Sequence, residues 1–261
     1  MLKDKLIGLI KNFMERREPS LPKFLIKFIE IKIKSPTSYY SFYGEDAVLQ
    51  GILERYKFDN GEDFRLSYID IGAWRPIKGS NTYFLYKKGV KGTVVEPNPY
   101  FKKLWDSVRP QDQYLQFGCS NSPKDNLQIF HPSAASNTMN TEFMNKISIG
   151  QQLEIRSQLE VDCLTLEEII IRHQKINSDP FLLDIDIEGS DFEVIKAFSF
   201  KTNLRPTLIM IEEWLGRDQN INSSNIFKFL DSKNYLLIGK TVLTSIYIDK
   251  QSKLYKLNIL N

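Results

Sequence analysis

The sequence has few cysteines, few histidines and no long hydrophobic run. Only two cysteines occur, Cys119 and Cys163, and their spacing fits neither a disulfide framework nor a structural zinc site, so we expect two core thiols in a reducing compartment. Apolar runs are short, as in residues 24–26, whereas a bilayer requires about 18 residues or more, and no transmembrane helix is predicted. Because no small-residue cleavage site follows the first residues, we expect no secretory signal and a cytoplasmic protein.

The chain also lacks an excess of charge of either sign. It has 35 basic and 32 acidic residues, a net charge of +3, whereas proteins that neutralise nucleic acid phosphates are far more basic. We therefore expect no nucleic acid partner. A hydrophobic content of 42% with 26% charged residues is typical of a folded globular chain, and 261 residues suffice for one large α/β domain with a short appendage.

Residues 1–38 form a basic segment, with nine basic residues against four acidic ones. Leu2, Leu6 and Leu9 recur at helical spacing, and the pattern predicts a short amphipathic helical arm. Two hypotheses remain for this arm: it packs on its own domain, or it makes a peripheral contact with the inner membrane surface or with a partner protein. Residues 39–261 are predicted to form the main domain.

The main domain is predicted to be α/β, because from Tyr68 onward short apolar runs alternate with amphipathic stretches. This pattern is typical of a mostly parallel sheet with helices on both faces, and the last two runs predict an antiparallel edge. Strands are predicted at 66–71, 92–96, 114–117, 180–187, 207–212, 235–239 and 243–249, and helices at 80–89, 98–108, 165–174, 190–198 and 222–232. Residues 118–160 break the pattern, and we expect this insertion to recognise the substrate.

Two acidic residues close the first two predicted strands. Asp70 is followed by Gly72, and Glu96 ends the second strand. Ligands of doubly wound sheets bind at the carboxyl ends of the strands, where a glycine permits close backbone approach. Glu96 could accept hydrogen bonds from both ribose hydroxyls of a nucleoside, although acidic residues at strand ends also serve as helix caps. Trp74 and Pro76 replace the glycines of a dinucleotide fingerprint, which disfavours a dinucleotide.

Eight short motifs follow one another along the chain: Tyr43-Gly44-Glu45-Asp46, Ile69-Asp70-Ile71-Gly72-Ala73, Ser80-Asn81-Thr82-Tyr83, Val95-Glu96-Pro97-Asn98-Pro99, Arg109-Pro110-Gln111-Asp112, Ser136-Asn137-Thr138, Asp184-Ile185-Asp186-Ile187-Glu188-Gly189-Ser190-Asp191 and Ile211-Glu212. In this order they resemble the FkbM family of S-adenosylmethionine-dependent methyltransferases, over about residues 40–213. The resemblance implies a Rossmann-like class I methyltransferase fold, with a seven-stranded sheet and an antiparallel carboxyl-terminal hairpin. It also implies O-methylation of a sugar, a glycan or a related hydroxylated metabolite.

The resemblance further implies which residues bind the cofactor S-adenosylmethionine. Asp70 and Gly72 would line its methionine half, and Glu96 would hold its ribose. Cys119 and Ser120 would lie beside the adenine. The remaining residues assigned to the cofactor site are Ala73, Asn81, Pro97 and Asp186.

The most unusual run of the chain is acidic: Asp184, Asp186 and Glu188 alternate with apolar residues inside the predicted strand. Three carboxylates on one face of a strand must find donors, a cation or the open end of a cleft. We therefore predict that Asp186 and Glu188 edge the active site. A carboxylate whose pKa is raised by its neighbours can remove the proton of the acceptor hydroxyl, and Asp186 is the first candidate for this general base.

The two histidines give further candidates. His131, in the insertion, is an alternative general base because an imidazole titrates near neutrality. His173 is interpreted as a favourable positive charge at the carboxyl end of a helix.

The acceptor and a metal ion are assigned to residues near the same edge. Asn137, Thr138 and Glu213 are predicted to bind the acceptor. Asp186, Glu188 and Glu212 are the candidate ligands if a magnesium ion lowers the pKa of the acceptor hydroxyl.

Two other classes of protein share this pattern. A nicotinamide-dependent oxidoreductase can be built on a related sheet, although the missing glycines and the terminal hairpin argue against it. A non-catalytic binding module can retain the same fold, because fold does not determine function.

Overall fold

The computed structural model describes residues 38–61, 63–129, 134–140, 157–177, 180–213 and 220–256. The predicted basic arm, apart from its last residue, lies outside these ranges, as does His131. The helices are α1 (Glu45–Asn60), α2 (Tyr83–Lys87), α3 (Lys102–Val108), α4 (Leu166–Gln174), α5 (Asp191–Ala197), α6 (Asn225–Ser232) and α7 (Lys253–Lys256). The strands are β1 (Ser67–Ile71), β2 (Gly92–Val95), β3 (Gln113–Leu115), β4 (Gly118–Cys119), β5 (Lys124–Ile129), β6 (Ser157–Leu164), β7 (Phe181–Ile185), β8 (Leu208–Glu212), β9 (Tyr235–Lys240) and β10 (Thr244–Asp249).

Seven strands form one sheet in the order β3-β2-β1-β7-β8-β10-β9. The pairs from β3 to β8 are parallel, and β10 runs antiparallel to both β8 and β9. The carboxyl ends of β1, β2 and β7 therefore meet at one edge of the sheet, with Asp70 beside Asp184 in the register of β1 and β7. The predicted seven-stranded, mostly parallel sheet with its antiparallel carboxyl-terminal hairpin is confirmed.

Alternating strand residues supply two hydrophobic layers, one on each face of the sheet. Ile69, Ile71 and Leu183 pack with the apolar residues of α4, α5 and α6. Tyr68 and Leu182 belong to the opposite layer, which includes buried residues of α1, α2, α3 and α7. Because side chains of a strand alternate, Asp70 and Asp184 point toward the second layer, where two carboxyl groups replace apolar residues.

The predicted insertion contains a second, smaller sheet, in the order β4-β6-β5. Strand β5 pairs antiparallel with β6 from Lys124 to Ile129, and Thr138 returns to bridge Gln128. Strand β6 leads into α4, whose first residue follows a capping box: Thr165 accepts from the backbone of Glu168, and Glu168 accepts from the backbone of Thr165.

Strand β7 ends earlier than predicted. The sequence pattern extended it to residue 187, but the last strand residue is Ile185. The chain then turns sharply, since Glu188 has a φ of 54° and Gly189 a φ of 99°. Asp184 is therefore the only one of the three alternating acids inside the strand, and the predicted common strand face of Asp184, Asp186 and Glu188 is wrong. We refer to residues 186–191 as the acid turn.

His173 is buried and does not act as a charged helix end. Its two ring nitrogens lie 2.9 Å from the hydroxyls of Ser67 and Thr93, so the ring joins α4 to β1 and β2. Burial lowers the pKa of His173 to about 4, and the ring is neutral at pH 7. The interpretation of His173 as a positive charge is corrected for this reason.

Among the described residues, no helix is both long enough and apolar enough to span a membrane.

Candidate active site

A cleft opens at the carboxyl ends of β1, β2 and β7. The walls come from the loop after each of these strands and from the insertion, and include Gly72, Trp74, Glu96, Cys119 and Asp186. Four parts of the chain that are separated in sequence thus form one site.

Glu96 stands at the wall of the cleft with its carboxylate fixed by two backbone groups. The N–H of Trp74 donates to Oε2 at 2.9 Å, and the N–H of Asn98 donates to Oε1 at 2.7 Å. Trp74 is itself held, because its carbonyl accepts from Nε1 of Trp105 at 2.9 Å. Burial raises the pKa of Glu96 to about 7. Each carboxylate oxygen has a second lone pair, so the group can still accept two hydrogen bonds from a ligand.

Gly72 is required by the packing of two loops. Its φ is +82°, and an added Cβ would lie 1.7 Å from the carbonyl oxygen of Asp186. The N–H of Asp186 also donates to the carbonyl of Ile71 at 3.0 Å. The absence of a side chain at Gly72 therefore lets the acid turn lie directly against the end of β1, which brings Asp186 into the cleft.

Asp70 and Asp184 lie side by side beneath the cleft and do not line it. Asp70 accepts from the hydroxyl of Thr82 at 2.5 Å, and Asp184 accepts from the amide of Asn81 at 3.3 Å. Burial and the neighbouring acid raise the pKa of Asp184 well above its ordinary value, and burial also raises that of Asp70. The assignment of Asp70 and Asn81 to the cofactor stays a prediction, and both now have protein partners.

Arg109 is the cation nearest to this buried pair. Its guanidinium forms an ion pair with Asp112 at 2.7 Å and donates to Tyr68 and Thr82 at 2.9 and 3.1 Å. Thr82 in turn donates to Asp70, so the charge of Arg109 is connected to Asp70 through one hydroxyl. The Arg109 to Asp112 motif thus supports the floor of the site.

The acid turn concentrates carboxyl groups at the mouth of the cleft. Asp186 and Glu188 both line the cleft, and Asp186 is exposed to solvent on one side. Desolvation and then nearby acids raise the pKa of Asp186 to about 7 and that of Glu188 to about 9. At neutral pH Asp186 is therefore partly ionised, whereas Glu188 is protonated. Asp191, which the sequence analysis did not assign, accepts from the backbone of Ile187 at 3.1 Å and of Gly189 at 3.0 Å.

The other predicted cofactor residues have different places. Cys119 and Pro97 line the cleft, together with the apolar side chains of Phe117, Leu127 and Met139. Ala73 is buried and donates its N–H to the carbonyl of Val95 at 3.2 Å. Ser120 is not a lining residue; its hydroxyl lies 3.4 Å from the carboxylate of Asp125. Apolar side chains of this kind suit the flat ring of a nucleobase.

Residues 134–140, which we call the latch segment, form the outer wall of the cleft. Ala134, Ala135, Asn137, Thr138 and Met139 all line it. Thr138 is buried, and its hydroxyl donates to the carbonyl of Glu188 at 2.8 Å. Asn137 and Thr138 are thus at the cleft, where their role toward an acceptor stays a prediction.

Glu213 lies away from the cleft. Its carboxylate is buried, and accepts from the hydroxyls of Ser224, Ser245 and Tyr247. Glu212 is also buried, at the end of β8. Neither residue lines the cleft, and the place of Glu213 at the acceptor remains a prediction.

The described residues contain no group of three or more His, Cys, Asp or Glu side chains arranged to hold a metal ion. Asp186 and Glu188 are neighbours in the acid turn, but Glu212 does not join them in such a group. The assignment of these three residues to a magnesium ion stays a prediction.

Sequence reasoning missed several residues of the cleft. Trp74 and Asn98 act on Glu96 through their backbone N–H groups, which no side-chain pattern can reveal. Asp191 could have been found, because an acidic residue two positions after a glycine often begins a helix and accepts from nearby backbone N–H groups.

The sheet order, with one antiparallel strand next to the edge and a cleft at the ends of β1, β2 and β7, defines a Rossmann-like methyltransferase fold. The family model of the methyltransferase FkbM domain matches residues 70–237, which is more than half of the chain. The chain therefore belongs to the FkbM methyltransferase family and is a methyltransferase. Comparison with curated proteins and with solved structures gave no match.

Proposed function

We propose that the protein transfers a methyl group from S-adenosylmethionine to a hydroxyl group of a sugar, a glycan or a related hydroxylated metabolite. The observation that carries this proposal is the geometry of Glu96. Its carboxylate is oriented by two backbone N–H groups at the cleft wall and keeps lone pairs for two ribose hydroxyls.

The lining residues of the cleft suit the chemistry of the adenosine part of this cofactor. Glu96 would accept from the ribose, and the apolar residues Phe117, Leu127 and Met139 would contact the adenine. Asp186 lies beside Gly72, at the end of β1. Its negative charge would favour the positive sulfonium. When bound, S-adenosylmethionine would supply an electrophilic methyl group.

The residues of the acid turn would then handle the proton of the acceptor. Methyl transfer forms a C–O bond, breaks the S–C bond and releases the hydroxyl proton. Asp186 is the better base of the two acids, because its pKa of about 7 leaves part of the population ionised at neutral pH. Glu188, with a pKa of about 9, holds its proton and can donate a hydrogen bond to the acceptor.

The acceptor class rests on the chemistry of the cleft mouth. Asp186 and Glu188 of the acid turn and Asn137 of the latch segment offer hydrogen-bond acceptors and donors at the same cleft. Vicinal hydroxyl groups match such a polar rim better than an apolar acceptor does. A carbohydrate hydroxyl is therefore the substrate that we propose.

The cofactor assignment is tested by calorimetry on the full chain with S-adenosylmethionine, S-adenosylhomocysteine and NAD. We expect Glu96→Gln to weaken binding of both adenosyl ligands by about 10- to 100-fold, because one charge-assisted pair of hydrogen bonds is weakened. Glu54→Gln, on the exposed side of α1, is the matched control and should bind as the wild type does.

Two results would contradict the assignment. Tight binding of NAD without binding of either adenosyl ligand would indicate an oxidoreductase. Unchanged affinity in Glu96→Gln, with the wild type binding both adenosyl ligands, would remove Glu96 from the ribose site.

A further inference from the structure

The acid turn adopts a backbone conformation that it does not favour by itself. Glu188 is not a glycine but has a φ of 54°, in the left-handed region, which costs about 1 kcal/mol or more for an ordinary residue. Such a conformation persists only where the surrounding structure holds it. The contacts that hold the acid turn are therefore part of how the site works.

Part of this support comes from within the turn. Asp191 accepts from the N–H groups of Ile187 and Gly189, and the N–H of Asp186 donates to Ile71. These bonds satisfy three N–H groups of the turn. They do not involve the carbonyl groups of Glu188 and Gly189.

The latch segment supplies donors to both of these carbonyl groups. The hydroxyl of Thr138 donates to the carbonyl of Glu188 at 2.8 Å, and the side-chain amide of Asn140 donates to that of Gly189 at 2.7 Å. The two donors are linked, since the N–H of Asn140 donates to the hydroxyl of Thr138 at 2.9 Å. Thr138 is anchored in turn to β5, where its backbone exchanges two hydrogen bonds with Gln128.

The same segment forms a wall of the cleft. Ala134, Ala135 and Met139 line the cleft with apolar side chains. A ligand bound in the cleft would therefore contact the latch segment, which donates hydrogen bonds to the acid turn.

We propose that Thr138 and Asn140 are positioning residues that fasten the acid turn to the cleft wall, and that ligand binding in the cleft tightens this connection. The first half stands on the hydrogen bonds alone. The second half rests on the proposed function, because it requires an adenosyl ligand in the cleft.

The connection is tested by NMR hydrogen exchange on the ligand-free full chain. In Thr138→Val and in Asn140→Ala we expect the amides of Ile187 and Gly189 to exchange about tenfold faster than in the wild type, because the turn opens more often. Amides of the central strand β7 should keep their exchange rates, which separates local opening from global unfolding. Thr138→Ser keeps the hydroxyl and should restore the wild-type rates.

Asn121→Ala is the matched control. Its side-chain amide also donates to a backbone carbonyl of a distant residue, Glu193, at 3.4 Å, but Asn121 does not line the cleft. We expect this variant to leave the exchange of Ile187 and Gly189 unchanged. A second readout is carbon-detected titration of Glu188, whose pKa should fall toward the ordinary glutamate value only in Thr138→Val and Asn140→Ala.

Addition of S-adenosylhomocysteine separates the two halves of the proposal. In the wild type the ligand should slow exchange in both residues 134–140 and residues 186–191, and in Thr138→Val only in the former. Absence of any binding would contradict the proposed function and the ligand coupling, while the exchange rates of the free protein still decide the role of Thr138. Unchanged exchange of Ile187 and Gly189 in both Thr138→Val and Asn140→Ala would overturn that role.

Discussion

Asp186 and Glu188 are two residues apart, yet their environments give them different roles. Both have a raised pKa, but the value is about 7 for Asp186 and about 9 for Glu188. The exposed side of Asp186 keeps contact with water and supports its ionised form. Near neutrality Asp186 can accept a proton, while Glu188 can donate a hydrogen bond. Acid–base catalysis uses one group of each kind.

The pKa values of Asp186 and Glu188 predict how activity depends on pH. A base must be ionised, so turnover should rise about tenfold per pH unit below 7 and level off above it. Asp186→Asn removes the base, and we expect it to lower turnover by about 100-fold or more and to abolish this pH dependence. The measurement is transfer of a labelled methyl group to a glycan that the wild-type enzyme methylates, from pH 5.5 to 9.

Glu188→Gln is the matched comparison for Asp186→Asn. Glutamine resembles the protonated form that Glu188 already has at pH 7, so we expect a loss of less than about tenfold. If Glu188→Gln removes the pH dependence and Asp186→Asn keeps it, the two roles are reversed.

At the scale of elements, the site depends on how closely the end of β1 meets the end of β7. The loop after β7 passes so near to Gly72 that a single methyl group would lie 1.7 Å from the carbonyl oxygen of Asp186. Backbone atoms cannot move aside as the end of a side chain can. This contact fixes the distance between the end of β1 and the acid turn.

Gly72→Ala is therefore expected to lower the free energy of unfolding by about 2–4 kcal/mol, because of the clash and the positive φ. Gly51→Ala is the matched control: Gly51 lies in α1 with no neighbour within 4 Å, and alanine should stabilise the helix by about 0.5–1 kcal/mol. Urea unfolding of both variants measures the difference. Equal stability of Gly72→Ala and the wild type would show that the two loops can separate without cost.

The strands of the seven-stranded sheet were predictable because each has its own local pattern, whereas β4 and β6 of the smaller sheet were not predicted. The predicted strand ends agree with β1, β2 and β8 within one residue. Strand β7 was extended too far, because the alternation of Asp184, Asp186 and Glu188 continues into a turn that only its contacts with Ile71 and Thr138 define. Contacts between Thr138 and Glu188 join residues 50 positions apart, and no short-range pattern carries them.

The helix α1 was not predicted for a related reason. Its sequence from Glu45 to Asn60 has no strong apolar stripe, and its place is fixed by the residues that pack on it. The place of Glu96 at the cleft was predicted from its position at a strand end, and its ribose-binding role stays a prediction. The backbone donors that orient it come from residues whose side chains gave no signal.

At the scale of the whole molecule, four acids at the site lower the free energy of unfolding at neutral and basic pH. Burial raises the pKa of Glu96 to about 7 and that of Asp191 to about 6, beside the values of Asp186 and Glu188. A group whose pKa is higher in the folded state stabilises the fold fully below its unfolded pKa, and this contribution is lost as the pH rises through the folded value. These four acids therefore destabilise the folded protein progressively between about pH 4 and pH 9.

His173 acts in the opposite sense and in a different range. Its folded pKa of about 4 lies below the ordinary histidine value of 6.5. Its contribution to stability is complete above about pH 6.5 and is lost as the pH falls through 4. Unfolding measurements above pH 6.5 therefore contain no change in the contribution of His173, and they report on the four acids.

We expect the free energy of unfolding of the ligand-free wild type to fall by on the order of 1–2 kcal/mol between pH 6.5 and 9, a value reduced for the solvent exposure of Asp186. The double variant Asp186→Asn, Glu188→Gln cannot lose these protons and should have a flatter profile, so its advantage over the wild type grows with pH. Urea unfolding at pH 6.5, 7.5 and 9 measures both profiles. All other titrating groups are common to the two proteins, and parallel profiles would mean that the acid turn is not where the protons are lost. If the advantage of the double variant grows with pH, Asp186 and Glu188 lower the free energy of unfolding of the wild type. They would do so at the pH at which Asp186, the proposed base, is ionised.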